Sequence, residues 1–401
     1  MSGMVGSGDE AVPGPAEVAI SPLAGEKDRY PERPITVRAQ GGTLKHVVVR
    51  NDGREVAGTY DAKRTSWSST GNLEPSTTYA VTARAVNAAG QSTTATSSFK
   101  TLKPEKTAEV VNVTPASGET VGVGMPIIVD FDRPIRDKAA VERALRVKSS
   151  KAAKGAWHWV TDEQVVFRTS KYWKAKQKVR FRGLLSGVRT GKDTYGVKDV
   201  KRSFKIGPRH ISEVDTDSHM MTVKSGRKTL REIPISAGKA TQYKYTTTNG
   251  VHLAMERAPV VVMDSATVGI PQGSPDYYRQ TVYSAVRISN SGEYVHGAPW
   301  SVGSQGYANV SHGCVNASPS NARWFLGWTQ LGDIIEVTGT HRELEYNNGW
   351  GFWQMSFKNW VKGGALDRVI STGPKKASSS KPTPTPTPTP TGTAKAEPPA
   401  N

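Results

Sequence analysis

The 401-residue chain holds one cysteine, Cys314. A single thiol cannot build an internal disulfide framework, so the redox compartment is not readable from pairing. No run of about 18 apolar residues occurs, which excludes a membrane-spanning helix. Acidic residues are scarce, 35 against 53 lysines and arginines, giving a formal net charge of +18. That excess suits attraction to a polyanion or a plain solvated basic surface. It comes with no helix-turn-helix, zinc-finger or RNA-binding signature, which argues against nucleic acid. Residues Met1 to Ala24 lack the basic start and apolar core of a secretory signal, so a removed leader or a truncated start is expected.

Hydrophobic residues make up 36% of the chain, enough for globular cores, and the length suits two to four domains. Residues 1–25, rich in Gly, Pro and Ser, read as a disordered leader. Between 26 and 104 short alternating strands such as Leu44–Val49 and Tyr79–Ala85 are punctuated by turn signals such as Asn51-Asp52-Gly53. The run Leu73 to Tyr79 resembles a tyrosine corner, and the segment is predicted to be an immunoglobulin-like sandwich with Trp67 in its core. Residues 105–208 repeat the pattern and predict a second sandwich. It carries Lys148, Lys151, Lys154, Lys171, Lys174, Lys176 and Lys178, readable as a solvated face or as a wall contact.

From 209 to 340 strand-like runs appear at Met221–Val223, Arg231–Ser236, Val260–Met263 and Ala285–Ile288. Residues 270–283 have no helical period and predict a long lid-like loop. Ser318 and Pro319 are an N-cap and a first helical residue, so a helix ending at Gly332 is expected just after Cys314. Residues 341–371 hold Trp350, Phe352, Trp353, Phe357 and Trp360. They are too few to fold alone and are predicted to pack on the domain before them, with a carbohydrate platform as the alternative. Residues 372–401, with their Pro-Thr repeat, read as a disordered spacer.

A lone thiol beside histidines is a candidate nucleophile, because an imidazole can take its proton. His312 lies two residues before Cys314, and His296 lies eighteen before it, at the end of its own strand-like run. Two strands joined by a long loop would bring His296 alongside, so it is assigned as base and His312 as a supporting or substrate-orienting residue. Gly313 lets the backbone approach a carbonyl, which makes the N–H groups of Gly313 and Cys314 candidate oxyanion donors. An inert buried cysteine is the plain alternative. One Cys and two His do not make a structural metal set.

The stretch Ser311-His312-Gly313-Cys314-Val315-Asn316, with His296-Gly297 upstream, closely resembles the signature of the L,D-transpeptidase (YkuD-type) family. The layout is also similar to actinobacterial members. The resemblance implies a mainly β chain: two immunoglobulin-like β-sandwiches, a β-rich L,D-transpeptidase catalytic domain with a short helix after the Cys motif, and a small Trp-rich C-terminal subdomain. It implies Cys314 as nucleophile, His296 as base, His312 as motif histidine and Gly297 as the residue whose carbonyl orients the base. Tyr278 corresponds to a lid tyrosine, Met263 to a pocket methionine, and Ser291, Trp300, Ser311 and Asn316 to substrate-proximal positions.

The implied reaction is cross-linking of peptidoglycan stem peptides through a Cys thioester. D-Ala leaves a tetrapeptide donor, an amine acceptor takes the acyl group, and no metal or cofactor is needed. Carbapenem-type β-lactams are implied as covalent inhibitors, and anionic wall polymers as further partners. The location expected is extracytoplasmic, in the cell wall or on the outer face of the membrane. The rivals are an L,D-carboxypeptidase, in which water takes the acyl group, and a non-catalytic wall-binding protein.

Overall fold

The computed structural model describes residues 14–374. The first part of the expected leader, and the Pro/Thr tract of the expected tail, lie outside the described residues. Among the described residues, no helix is long and apolar enough to cross a membrane.

The first sandwich packs two four-stranded sheets face to face. Its strand Thr78–Val86 buries every second residue, Tyr79, Val81, Ala83 and Ala85, as period-two patterning requires when one face is wet. Trp67 lies in the same core. The Tyr79 hydroxyl accepts the Glu74 N–H at 2.7 Å, closing the corner expected from sequence. The expectation of a leader running to residue 25 is corrected here. Glu17–Ser21 is a strand paired antiparallel with Thr36–Gln40. Val18 and Ile20 alternate with the exposed Glu17, Ala19 and Ser21 and pack on the sandwich core, a signal masked by the small residues around them.

The second sandwich has two unlike sheets. One contains Ile127–Phe131, Gln164–Thr169 and Lys154–Trp159, which are buried on both faces. The other contains Leu145–Ser149, Gln177–Gly183 and Val200–Ile206, in which buried and exposed positions alternate. The C-terminal residues explain the difference. They touch the catalytic domain, as expected, and in addition bury Phe352 and Trp360 against Ile128, Ala156 and Val166 of the second sandwich, which the sequence did not predict. Ile370–Ser371 adds an edge strand beside Lys154–Trp159. Pairing runs on through Thr372, whose N–H reaches Ala153 O, so the spacer does not begin at 372. A sheet apolar on both sides needs a cover on both sides, and this subdomain is the second one. It also contacts the catalytic domain, through bonds such as Val251 N–H to Gln354 Oε1 at 2.8 Å.

The domain expected to be catalytic is built on a nine-stranded mixed sheet. In order its strands are Gly250–Leu253, Ile334–Thr338, His210–Asp215, Met220–Ser225, Lys228–Ser236, Val315–Ala317, Tyr294–Gly297, Arg279–Arg287 and Glu256–Asp264. Helix Pro319–Trp328, capped by Ser318, presses Ala322 and Phe325 into the core with Val286, Val295 and Val315. The loop expected over 270–283 ends earlier: Arg279 onward is strand, held by pairing with Glu256–Asp264.

Candidate active site

Tyr294–Gly297 and Val315–Ala317 pair in parallel, with His296 opposite Asn316 and Val295 opposite Val315. Successive side chains alternate between faces. Val295 and Val315 therefore turn into the core, while His296 and Asn316 share the other face, with Cys314 one alternation before Asn316. That face opens into a cavity of about 250 Å³ lined by His296, Cys314, Asn316, Ser311, His312, Trp300, Tyr278 and Met263. Eighteen residues of sequence separation thus close into one site through a parallel strand pair.

His296 is buried, and its Nδ1 lies 3.0 Å from the Gly297 carbonyl oxygen. A carbonyl only accepts, so Nδ1 carries the proton and Nε2 keeps a lone pair. Burial holds the imidazole below its ordinary pKa, so it is neutral near pH 7 and able to take a proton. The Cys314 thiol is also nearly buried and donates to the Gly292 carbonyl oxygen at 3.6 Å. Burial pushes its pKa up to about 12; the Tyr294 N–H opposes this and the Glu293 carboxylate adds to it. The resting pair is thiol and imidazole, both neutral.

The turn before Cys314 is stapled from within. Ser311 Oγ donates to the Cys314 carbonyl at 2.6 Å and accepts the Gly313 N–H at 3.1 Å. Gly313 has φ +129°, where a side chain would be strained. Its N–H is directed at Ser311, so it is not the free oxyanion donor expected from sequence. The Gly313 carbonyl is held by Thr247 Oγ1 at 2.8 Å.

His312 stands at the cavity edge between two tyrosine rings, Tyr245 at 4.7 Å and Tyr278 at 5.2 Å. Its Nε2 lies 3.4 Å from the Lys239 ammonium, and burial together with that charge lowers its pKa. Tyr278 ends the lid loop, with its N–H on Ser265 Oγ at 2.9 Å. Tyr245 pins the same loop by donating to Asp276 Oδ2 at 2.7 Å. Met263 and Trp300 line the opening. Ser291 is the one expected substrate contact that does not line the cavity. Its hydroxyl lies 2.9 Å from Ser289 Oγ and accepts Asn348 Nδ2–H at 3.0 Å, which fixes it in the wall behind.

Several residues went unsingled in the sequence. Gln280, Val282 and Val310 line the cavity. Behind the Cys314 turn lies a buried polar cluster in which Glu293 accepts Thr248 N–H and Oγ1–H, each at 2.7 Å. Thr248 Oγ1 is also 2.7 Å from His252 Nε2. Glu293 carries no motif signal, being one more polar residue in the run Ser289-Asn290-Ser291-Gly292-Glu293, and its role shows only once Thr248 lies beside it. No group of three or more His, Cys, Asp or Glu side chains able to hold a metal occurs among the described residues.

Comparison with known proteins gives consistent matches. The sequence model of the L,D-transpeptidase catalytic domain matches residues 209–337, and that of a bacterial Ig domain matches residues 26–189. The chain is similar to L,D-transpeptidase 2 of Mycobacterium tuberculosis, 36% identical over 336 residues, 83% of this chain and 81% of the relative. L,D-transpeptidase 5 of the same species is 34% identical over 365 residues, 89% of this chain and 79% of that one. A solved LD transpeptidase in complex with imipenem is 39% identical and superposes with a TM-score of 0.51, covering 59% of this chain and 100% of that one.

Proposed function

The chain belongs to the L,D-transpeptidase family, and we propose that Cys314 carries the transferred acyl group as a thioester, with His296 moving the proton at each step. The donor is a peptidoglycan tetrapeptide stem. The thiol proton passes to His296 Nε2 as Sγ attacks the carbonyl of the third residue. The C–N bond to D-Ala breaks, and the same proton leaves with the D-Ala amine. An amine of a neighbouring stem then attacks the thioester. His296 takes the proton of that amine and returns it to the sulfur as the new amide forms. The observation that carries this reading is the Nδ1–H bond to Gly297, which leaves Nε2 open on the face shared with Cys314.

The residues around the pair support further roles in this reading. Tyr278, Met263 and Trp300 hold the stem, Asn316 and Ser311 keep the reacting strand in place, and His312 steadies the lid through the two tyrosines. The oxyanion donor is the Cys314 N–H. A carbapenem presents the same kind of carbonyl and acylates Cys314. The reaction belongs outside the cytoplasmic membrane, where stem peptides are, with the two sandwiches as a stalk.

Incubation with tetrapeptide-bearing muropeptides tests the assignment. Cross-linked dimer with release of D-Ala is expected. Tripeptide alone would make the protein an L,D-carboxypeptidase, and no turnover would make it a wall-binding protein. Cys314→Ala loses the acyl adduct in intact-mass spectra; an adduct on that variant would refute the nucleophile.

A further inference from the structure

The second sandwich has one outer face covered by the C-terminal subdomain and one outer face bare. Every outward position but one on the three main strands of the bare face is cationic. Leu145–Ser149 presents Arg146 and Lys148, Gln177–Gly183 presents Lys178, Arg180 and Arg182, and Val200–Ile206 presents Lys201 and Lys205, with Ser203 between them. Register puts like charges side by side: Arg146 faces Arg182, Lys148 faces Arg180, Arg182 faces Lys201, and Lys178 faces Lys205. Like charges at opposed positions destabilise a sheet. Among the described residues none of the seven forms an ion pair with a carboxylate. The acids on the flanking turns are engaged elsewhere: Glu119 accepts the Ala116 N–H and Asp199 the Ser186 N–H. Residues 105–208 hold 22 lysines and arginines against 11 acids, a net +11 of the chain's +18.

From this we infer that the bare face binds a linear phosphodiester polymer of the cell wall, laid across the three strands. Outward side chains repeat about every 6.8 Å along a strand and strands lie about 4.8 Å apart, so the seven cations form a two-dimensional grid that extended phosphodiesters can span. Arg forks and Lys ammonium groups both suit phosphate oxygens. The face shows no aromatic on which bases stack and no apolar side chain to enter a bilayer, which separates it from single-strand nucleic-acid and membrane surfaces. The choice of a wall polymer rests on the extracytoplasmic reading above. Its consequence is to hold the catalytic domain, joined directly after Ile206, on the wall while stems are exchanged.

The test uses the whole chain and a poly(glycerol phosphate) probe, with binding followed by fluorescence anisotropy as salt is raised. Neutralising four to seven phosphates predicts a slope of log K against log salt of about −3 to −5. The variant Lys148→Gln, Arg180→Gln, Arg182→Gln, Lys205→Gln is expected to bind at least tenfold more weakly at 150 mM salt, with a slope shallower by about 2 to 3. The charge-keeping set Lys148→Arg, Arg180→Lys, Arg182→Lys, Lys205→Arg is expected to bind like the parent. Unchanged binding by the glutamine variant overturns the inference, as does loss of binding by the charge-keeping set. So does tighter binding of phosphatidylglycerol vesicles or single-stranded DNA at equal charge and salt. Acylation of Cys314 by imipenem is measured on the same samples, so a failed polymer site and a failed transferase reading are told apart.

Discussion

Cys314 Sγ directs its proton at the Gly292 carbonyl oxygen, 3.6 Å away, and no cation is among the groups that set its acidity. Burial pushes the thiol up to about 12, while burial also holds His296 below its ordinary value. A preformed thiolate–imidazolium pair is therefore disfavoured in the resting site. On the proposed mechanism, deprotonation of Cys314 by His296 then accompanies the attack rather than preceding it.

The proposed mechanism therefore predicts a pH dependence of acylation in which the competent form is neutral imidazole with neutral thiol. Its population falls as pH drops through the lowered His296 pKa and stays constant above it until the thiol titrates. The second-order rate of acylation by imipenem is expected to be flat between pH 7 and 8.5 and to decline only below about 6.5. Stopped-flow absorbance of the β-lactam ring reads it directly. A rate climbing tenfold per unit from pH 7 to 8.5 would mean that a small pool of free thiolate does the chemistry.

Glu293 raises the thiol pKa from behind the Cys314 turn while holding the Thr248 backbone and hydroxyl. Glu293→Gln keeps the shape and removes the charge. The thiol is expected to become more acidic, so the pH profile of iodoacetamide alkylation moves to lower pH. The loss of charge-assisted bonds to a buried acceptor should cost about 1–2 kcal/mol in urea unfolding. An alkylation profile that superposes on the parent would remove Glu293 from the account of Cys314 reactivity.

Much of the architecture and of the site was legible because its signals are local. Alternation in Tyr79–Ala85, the Ser318-Pro319 helix start and the His-Gly-Cys run each depend on neighbours in sequence. What escaped depends on pairing between distant segments. Val18 and Ile20 matter only once Thr36–Gln40 lies beside them. Ser291 has the right residue type for a substrate contact, but Asn348, 57 residues on, draws it into the wall. Gly313 reads as free in the sequence, whereas in the fold its N–H is taken by the Ser311 hydroxyl. The basic run Lys171–Lys178 showed charge without showing that register lines Lys178 up with Lys205.

The C-terminal subdomain shows the same limit, because its aromatics do not disclose which neighbour they cover. Trp360 is fully buried, donates Nε1–H to the Ala156 carbonyl at 3.1 Å and stacks on His158 at 4.4 Å. Arg168, itself buried, lies 4.9 Å from the Trp360 ring centroid and 5.5 Å from that of Phe357, and donates to the Met355 carbonyl at 2.5 Å. Trp360→Ala deletes the centre of this packing, uncovers Ile128 and Val166 and leaves Arg168 short of one ring. A destabilisation of about 3–5 kcal/mol is expected. It should appear in urea unfolding as an earlier transition of the second sandwich, with faster proteolysis after residue 341. The Cys314 cavity lies on another sheet, so the folded fraction should be acylated by imipenem at the parental rate. A variant that unfolds like the parent would mean that the second sandwich is stable without its cover.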